Sequence, residues 1–177
     1  MSRGSDRKPI VWDARDYECL CDCLHRVATR YEWEVFAWCA MPNHYHVVLR
    51  TTLNGFSRGF QVMNQTHSLR TNRRYGRSAH LFKNRPNCVE VASDAHLLGA
   101  IVYVVRNPIR AGLCERAWEW PYSSYRGTVG LEQAPAWLKV EFVLDLFGGA
   151  AEFARVVHRE QLPVSETVVC EPLATRE

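Results

Sequence analysis

Two histidines separated by one residue are the first feature of this chain that could carry chemistry. His44 and His46 belong to a largely apolar run, Met41 to Arg50, that predicts a β-strand. Because successive strand side chains alternate between faces, both imidazoles point the same way, about 7 Å apart along the chain. Two neutral imidazoles so placed can occupy adjacent positions around a divalent cation. The alternative is a pair of surface histidines on a half-exposed strand.

A tyrosine and an asparagine form the second group that could carry chemistry. Ser93 can cap a helix that we expect to end at Asn107, because Pro108 disfavours helical geometry at the residue before it. Tyr103 and Asn107 are four residues apart and therefore neighbours on one face of that helix. The preceding turn offers a glycine and an alanine there, which leaves space beside the phenol. The alternative is a half-exposed tyrosine packed at a helix edge.

The charges are unevenly distributed along the chain. The formal net charge is +3, and residues 51–89 contain no Asp or Glu. This pattern predicts a surface that binds a nucleic-acid backbone, with a solvated basic face as the alternative. The basic residues in this window are Arg58, Arg70, Arg73, Arg74, Arg77, Lys83 and Arg85.

The composition indicates a globular protein and argues against the membrane class. The 177 residues are 47% hydrophobic, and no apolar run approaches the ~20 residues of a membrane span. The N-terminus lacks the apolar region of a signal peptide, so we expect a cytoplasmic protein whose seven cysteines are reduced thiols. Cys19 and Cys23 share a helix face with His25 nearby. We expect hydrophobic packing there, with a zinc site as the alternative.

Local patterns predict the elements that must position these residues. Helices are expected over residues 13–31, 56–75, 93–107, 137–147 and 150–161, and strands over 34–39, 44–49 and 88–91. The first two strands are joined by a turn at residues 40–43, so we expect them to pair as a hairpin.

The motifs together resemble a known protein family. The chain is similar to the HUH single-tyrosine transposases, and within them to the REP-associated tyrosine transposases, over roughly residues 3–128. The resemblance rests on residues 41–46 (Met-Pro-Asn-His-Tyr-His) and 103–113 (Tyr-Val-Val-Arg-Asn-Pro-Ile-Arg-Ala-Gly-Leu), with support from residues 72–77, 80–82 and 121–125.

The resemblance implies a fold and a domain organisation. The fold is α+β, a ferredoxin-like α/β sandwich of the HUH nuclease type with an antiparallel central sheet and a C-terminal helical appendage. The catalytic domain would occupy residues 1–128, the helical appendage 129–162 and a flexible tail 163–177. The family's usual first strand precedes an Arg-Gly turn, whereas here Arg3-Gly4 stands almost at the start. We therefore expect a sheet that lacks this strand.

The resemblance also implies roles for the site residues. His44, His46 and Asn107 would bind Mg²⁺ or Mn²⁺, and Tyr103 would be the nucleophile that forms a 5′-phosphotyrosine intermediate. A free phenol has a pKa near ~10, so nearby positive charge is needed to stabilise phenolate. Arg106 and Arg110 are candidates for this role, and with the basic residues of the acid-free window they would also contact DNA.

The resemblance further implies a substrate and a reaction. A monomer would cleave and rejoin single-stranded DNA or DNA hairpins formed by REP-like palindromic repeats, without ATP. The alternative is a non-catalytic module that binds nucleic-acid hairpins and is derived from such a transposase.

Overall fold

A computed structural model describes residues 1–83 and 86–159 and the backbone of residues 170–172. The described elements are, in chain order, β1 Ser2–Arg3, α1 Ala14–Arg30, β2 Glu34–Met41, β3 His44–Thr51, α2 Leu53–Tyr75, α3 Asp94–Arg110, α4 Tyr125–Thr128, α5 Val140–Phe147, α6 Ala150–His158 and β4 Cys170–Pro172.

The predicted hairpin forms the centre of the sheet. Strands β2 and β3 pair antiparallel from Glu34↔Arg50 to Met41↔His44, so the connection is the two residues Pro42 and Asn43. Both strands are rich in β-branched and aromatic residues, which favour extended backbone. The hairpin therefore fixes the register of both histidines.

Two shorter strands lie on the edge of β3 that faces away from β2. Strand β1 pairs antiparallel with His44 and Tyr45, and β4 pairs parallel with residues 49–51. Where we expected the first strand to be lacking, a two-residue strand is present. The predicted α/β sandwich with an antiparallel central sheet is confirmed.

Each face of the sheet packs against its own set of helices. Tyr45, Val47 and Leu49 of β3 point into a core shared with α1 and α2. Val48 points into a second core, shared with α3, α5 and α6. Because side chains alternate along a strand, His44 and His46 lie on the same face as Val48 and are directed towards α3.

The helix that carries Tyr103 is longer than predicted. The Ser93 side chain accepts a hydrogen bond from the backbone N–H of His96 and begins α3 as expected. The helix passes through Pro108 and ends at Arg110, so the end predicted at Asn107 is wrong. Proline here removes one helical hydrogen bond in the last turn, where little of the helix remains to be disrupted.

The segments before and after α3 differ in how well the sequence predicted them. The strand predicted over residues 88–91 is wrong, since a single bridge at Val89 is all that forms there. Helices α5 and α6 bury Val143, Phe147, Phe153 and Val157 in the core that contains α3.

The domain boundary at residue 128 remains a prediction, and most of the predicted tail lies outside the described residues. Within the described part of the chain, no helix is long and apolar enough to cross a membrane.

Candidate functional site

The structure brings the predicted histidines and tyrosine together between β3 and α3. The ring centroids of His44 and His46 are 4.9 Å apart, and those of His46 and Tyr103 are 5.5 Å apart. Strand alternation directs both imidazoles towards α3, and α3 presents Tyr103 one turn before Asn107. Residues 57 positions apart in the chain thus share one cluster.

His44 is oriented by the residue before it. The Asn43 side chain donates through Nδ2 to the carbonyl of Arg7, so its Oδ1 faces the imidazole, 2.6 Å from His44 Nδ1. Because Oδ1 can only accept, Nδ1 of His44 carries the proton and Nε2 keeps a lone pair. A hydrogen bond that fixes one ring nitrogen and leaves the other free is typical of histidines that bind metals. Asn43 was in the quoted motif, but its orienting role was not predicted from sequence.

Burial keeps both imidazoles neutral. Burial, followed by the positive charge of Arg3, lowers the pKa of His44 to about 4. Burial and then the neighbouring His44 hold the pKa of His46 well below its usual range. Both rings are therefore uncharged at neutral pH, and in that form one ring nitrogen of each has a lone pair that can bind a cation.

The ring nitrogens of His46 are a second sign of a ligand site. His46 is 2% exposed, and neither nitrogen has a hydrogen-bond partner among the described residues. Buried polar atoms without partners are rare in folded proteins and call for an explanation such as an ion. A divalent cation bound by His46 and His44 would provide one.

Asn107 completes the group of possible ligands. Its Nδ2 donates to the backbone carbonyl of Tyr103 at 2.9 Å, which leaves Oδ1 directed away from the helix backbone. Asn107 also interacts with the ring of His44. Two imidazole nitrogens and one amide oxygen are a donor set that fits a divalent cation.

The two arginines of α3 are directed differently. The guanidinium of Arg110 lies 4.9 Å from the centroid of the Tyr103 ring, where a cation is attracted to the ring and would stabilise phenolate. Arg106 instead donates through Nη1 to the carbonyl of Arg159, at 2.6 Å. Arg110 is therefore better placed than Arg106 to stabilise a Tyr103 phenolate.

The basic residues of the acid-free window occupy different environments. Arg74 forms ion pairs with Asp13 and Asp16, both at 2.5 Å. Arg77 lies over the ring of Trp12, 5.0 Å from its centroid. Of the rest, Arg58 hydrogen-bonds Gln61, Arg70 lies beside Cys19, Arg73 and Lys83 are exposed, and Arg85 lies outside the described residues.

A basic residue near the histidines was missed by sequence reasoning. Arg3 of β1 pairs with His44 across the sheet edge, and its charge acts on both imidazoles. The signal was present in the Arg3-Gly4 dipeptide, but strand pairing over 40 residues could not be read from it.

Comparisons with known proteins identify the family of the chain. The family described as Transposase IS200 like matches residues 3–98, more than half of the chain. The match includes both histidines and the acid-free window, and ends before Tyr103. A Haemophilus influenzae protein named as a candidate REP-associated tyrosine transposase is 25% identical over 118 residues. The aligned region covers 59% of this chain and 66% of that relative, just under two thirds of its length.

A solved structure has a similar fold. It is a REP-associated tyrosine transposase bound to a REP hairpin, with a TM-score of 0.54 and 18% identity over 76% of this chain and 78% of that chain. At this identity the likeness is one of fold. The family match, together with the β3–α3 cluster, leads to one conclusion: the chain belongs to the IS200-like transposase family.

Proposed function

We propose that this chain cleaves and rejoins DNA strands at single-stranded or hairpin DNA, with Tyr103 as the nucleophile. The observation that carries the proposal is the position of Tyr103 beside two buried, neutral imidazoles, His44 and His46. The REP hairpin bound by the solved relative supports REP-like palindromic repeats as the substrate.

The proposed chemistry is a transfer of one phosphodiester bond. The Tyr103 phenolate oxygen attacks the scissile phosphorus, the bond from phosphorus to the 3′ oxygen breaks, and the released 3′ oxygen takes up a proton. The products are a 5′-phosphotyrosine link and a free 3′-OH. The reverse attack by a 3′-OH rejoins strands and regenerates the phenol, so no ATP is required.

Each nearby side chain has a task in this proposal. Arg110 stabilises the phenolate, and Asn43 holds His44 with its Nε2 available. His44, His46 and Asn107 would hold Mg²⁺ or Mn²⁺, which when bound polarises and orients a phosphate. One chain supplies the whole set, which supports action as a monomer, and a DNA substrate would place the protein at the nucleoid in the bacterial cytoplasm.

The proposal is tested with the purified protein, a single-stranded DNA hairpin and Mn²⁺ or Mg²⁺ on a denaturing gel. The wild type is expected to give a protein–DNA adduct that is lost with Tyr103→Phe, about 10³-fold or more, because only the attacking oxygen is removed. Hairpin binding by the variant should be unchanged. If wild type binds the hairpin with steep salt dependence but forms no adduct with either metal, the non-catalytic binding module is the correct function.

A further inference from the structure

A second cluster of possible ligands lies on the opposite side of the sheet. Cys19 and Cys23 stand one turn apart on α1, and His67 stands on α2, which packs against α1. The two sulfurs and a ring nitrogen of His67 all lie within 4.8 Å of one another. Cys23 and His67 are buried and Cys19 is half-buried, so three donor atoms converge at the interface of the two helices.

The tautomer of His67 leaves one ring nitrogen with a free lone pair. Its Nε2 lies 2.8 Å from the backbone carbonyl of Ile10, and because a carbonyl only accepts, Nε2 carries the proton. Nδ1 then has a lone pair, and it is buried with no hydrogen-bond partner in the described part of the chain. Histidines that bind metals show this pattern, with one nitrogen fixed by a carbonyl and the other on the ion.

Cys19 lies in a cleft that an ion can enter, and a nearby arginine balances the charge of a Cys19 thiolate. Cys19 lines an open cleft of about 530 Å³ together with Asp16, Asp22 and Arg70. Arg70 Nη1 lies 3.5 Å from the Cys19 sulfur and can donate to a thiolate. Asp16 accepts hydrogen bonds from Arg74 and the Tyr75 hydroxyl, so its carboxylate already has partners and is not counted among the ligands.

The other residues of the cysteine-rich run are directed elsewhere. His25, which the sequence placed near the cysteines, accepts a hydrogen bond through Nδ1 from the Trp137 indole at 2.8 Å. Cys21 is two residues from each cysteine of the pair and lies near Leu24, Trp38 and Cys39 instead. Because α1 packs against α2, the histidine beside Cys19 and Cys23 is His67 and not His25.

We propose that Cys19, Cys23 and His67 bind Zn²⁺, with a water molecule as the fourth ligand. Two thiolates and one imidazole select zinc over Mg²⁺ and Mn²⁺, which prefer oxygen ligands. Binding releases the two thiol protons to solvent and requires no oxidant or reductant. The ion would clamp α1 to α2, the helix that carries Arg70 and Arg73. This inference does not depend on the proposed strand cleavage.

The test uses the full chain, Zn²⁺, and Co²⁺ as a spectroscopic probe. We expect a thiolate-to-cobalt charge-transfer band that added Zn²⁺ abolishes; the band reports zinc at the cysteines separately from any ion held by His44 and His46. Cys19→Ser should lower zinc affinity by at least roughly tenfold. Loss of a residue that only contacts a ligand already costs about that much, and this change removes a ligand itself. Cys21→Ser, on the same helix, is the matched control and should leave affinity unchanged. His46→Ala should also leave it unchanged, which separates this site from the one at α3.

A second measurement covers the case in which a ligand variant fails to fold. Zn²⁺ is expected to slow alkylation of Cys19 in the wild-type chain, read by peptide mass spectrometry. The proposal is overturned if wild type gives no charge-transfer band, or if alkylation of Cys19 is unaffected by zinc. It is also overturned if Cys21→Ser weakens zinc binding as much as Cys19→Ser does.

Discussion

The two faces of the sheet present two ligand clusters of different chemistry. On the α3 side, His44, His46 and Asn107 offer nitrogen and oxygen donors next to Tyr103. On the α1–α2 side, Cys19, Cys23 and His67 offer sulfur and nitrogen. In both clusters a buried imidazole has an unpartnered nitrogen among the described residues. The same fold thus separates a cluster of nitrogen and oxygen donors from a cluster of sulfur and nitrogen donors.

The difference between the clusters lies in what surrounds them. Tyr103 and Arg110 add a nucleophile and a cation to the first cluster. The second has Arg70 beside Cys19 and joins two helices. We therefore expect the first to act on DNA and the second to act on stability, and the following changes test that division.

Replacing His46 is expected to have the largest effect on cleavage short of removing the nucleophile. His46→Ala should reduce adduct formation about 10²-fold at fixed Mn²⁺, because a metal ligand is lost. The cobalt–thiolate band of the second cluster should be unchanged. Adduct yield against Mn²⁺ concentration measures the effect, and loss of the band in the same variant would contradict the separation of the two sites.

Acid should destabilise the fold through its buried neutral histidines. The pKa of His44 is lowered to about 4 in the folded chain, against ~6.5 in the unfolded chain. Below pH 6.5 the unfolded state therefore binds more protons, and stability falls as the pH drops towards 4. His44 should contribute about 2 kcal/mol to this loss.

Urea unfolding at several pH values measures this loss. His44→Gln, a neutral variant of similar size, should show a shallower decline in the free energy of unfolding between pH 6.5 and 4.5 than wild type. The remaining decline includes contributions from His46, His67 and His158, whose pKa values are also lowered, chiefly by burial. An identical decline in wild type and variant would show that His44 is not held neutral by the fold.

The arginines of α3 offer a matched pair within the first site. Arg110→Ala should reduce the rate of adduct formation about tenfold, because a cation over the Tyr103 ring is worth roughly 1–2 kcal/mol. Arg106→Ala should have a smaller effect on the rate, since Arg106 donates to the carbonyl of Arg159. Single-turnover kinetics at saturating metal compare the two, and equal losses would show that Arg106 supports the reaction as much as Arg110 does.

Adjacent arginines on α2 give the smallest expected effects. Arg73 is exposed, so Arg73→Ala should weaken hairpin binding and lower the slope of log affinity against log salt by about 0.7–0.9. Arg74 is paired with Asp13 and Asp16, so Arg74→Ala should lower the melting temperature with little change in that slope. Binding isotherms over a salt series decide between them, and a reversed pattern would show that Arg74 is the residue that contacts phosphate.

Much of the α3 site could be predicted because local periodicity determines it. Strand alternation placed His44 and His46 on one face, and helical spacing placed Tyr103 beside Asn107. Two elements were in error for local reasons: α3 tolerates Pro108 in its last turn, and Val89 forms only a bridge.

Sequence patterns did not predict the features of the site that depend on contacts between distant segments. The direction of Arg106 depends on where α6 ends, and the pairing of Arg3 with His44 depends on a sheet edge. His67, rather than His25, joins the cysteines because α1 packs against α2. Sequence spacing within one helix contains no information on that packing.

The most direct test of the central claim is to identify the atom of the protein that becomes linked to DNA. After incubation of the full chain with a REP-like hairpin and Mn²⁺, the adduct is digested and its peptides are analysed by mass spectrometry. We expect a nucleotide 5′-phosphate on Tyr103, with a free 3′-OH on the other DNA fragment. A 5′-phosphate on any other residue, or a 3′-linked nucleotide, would contradict it.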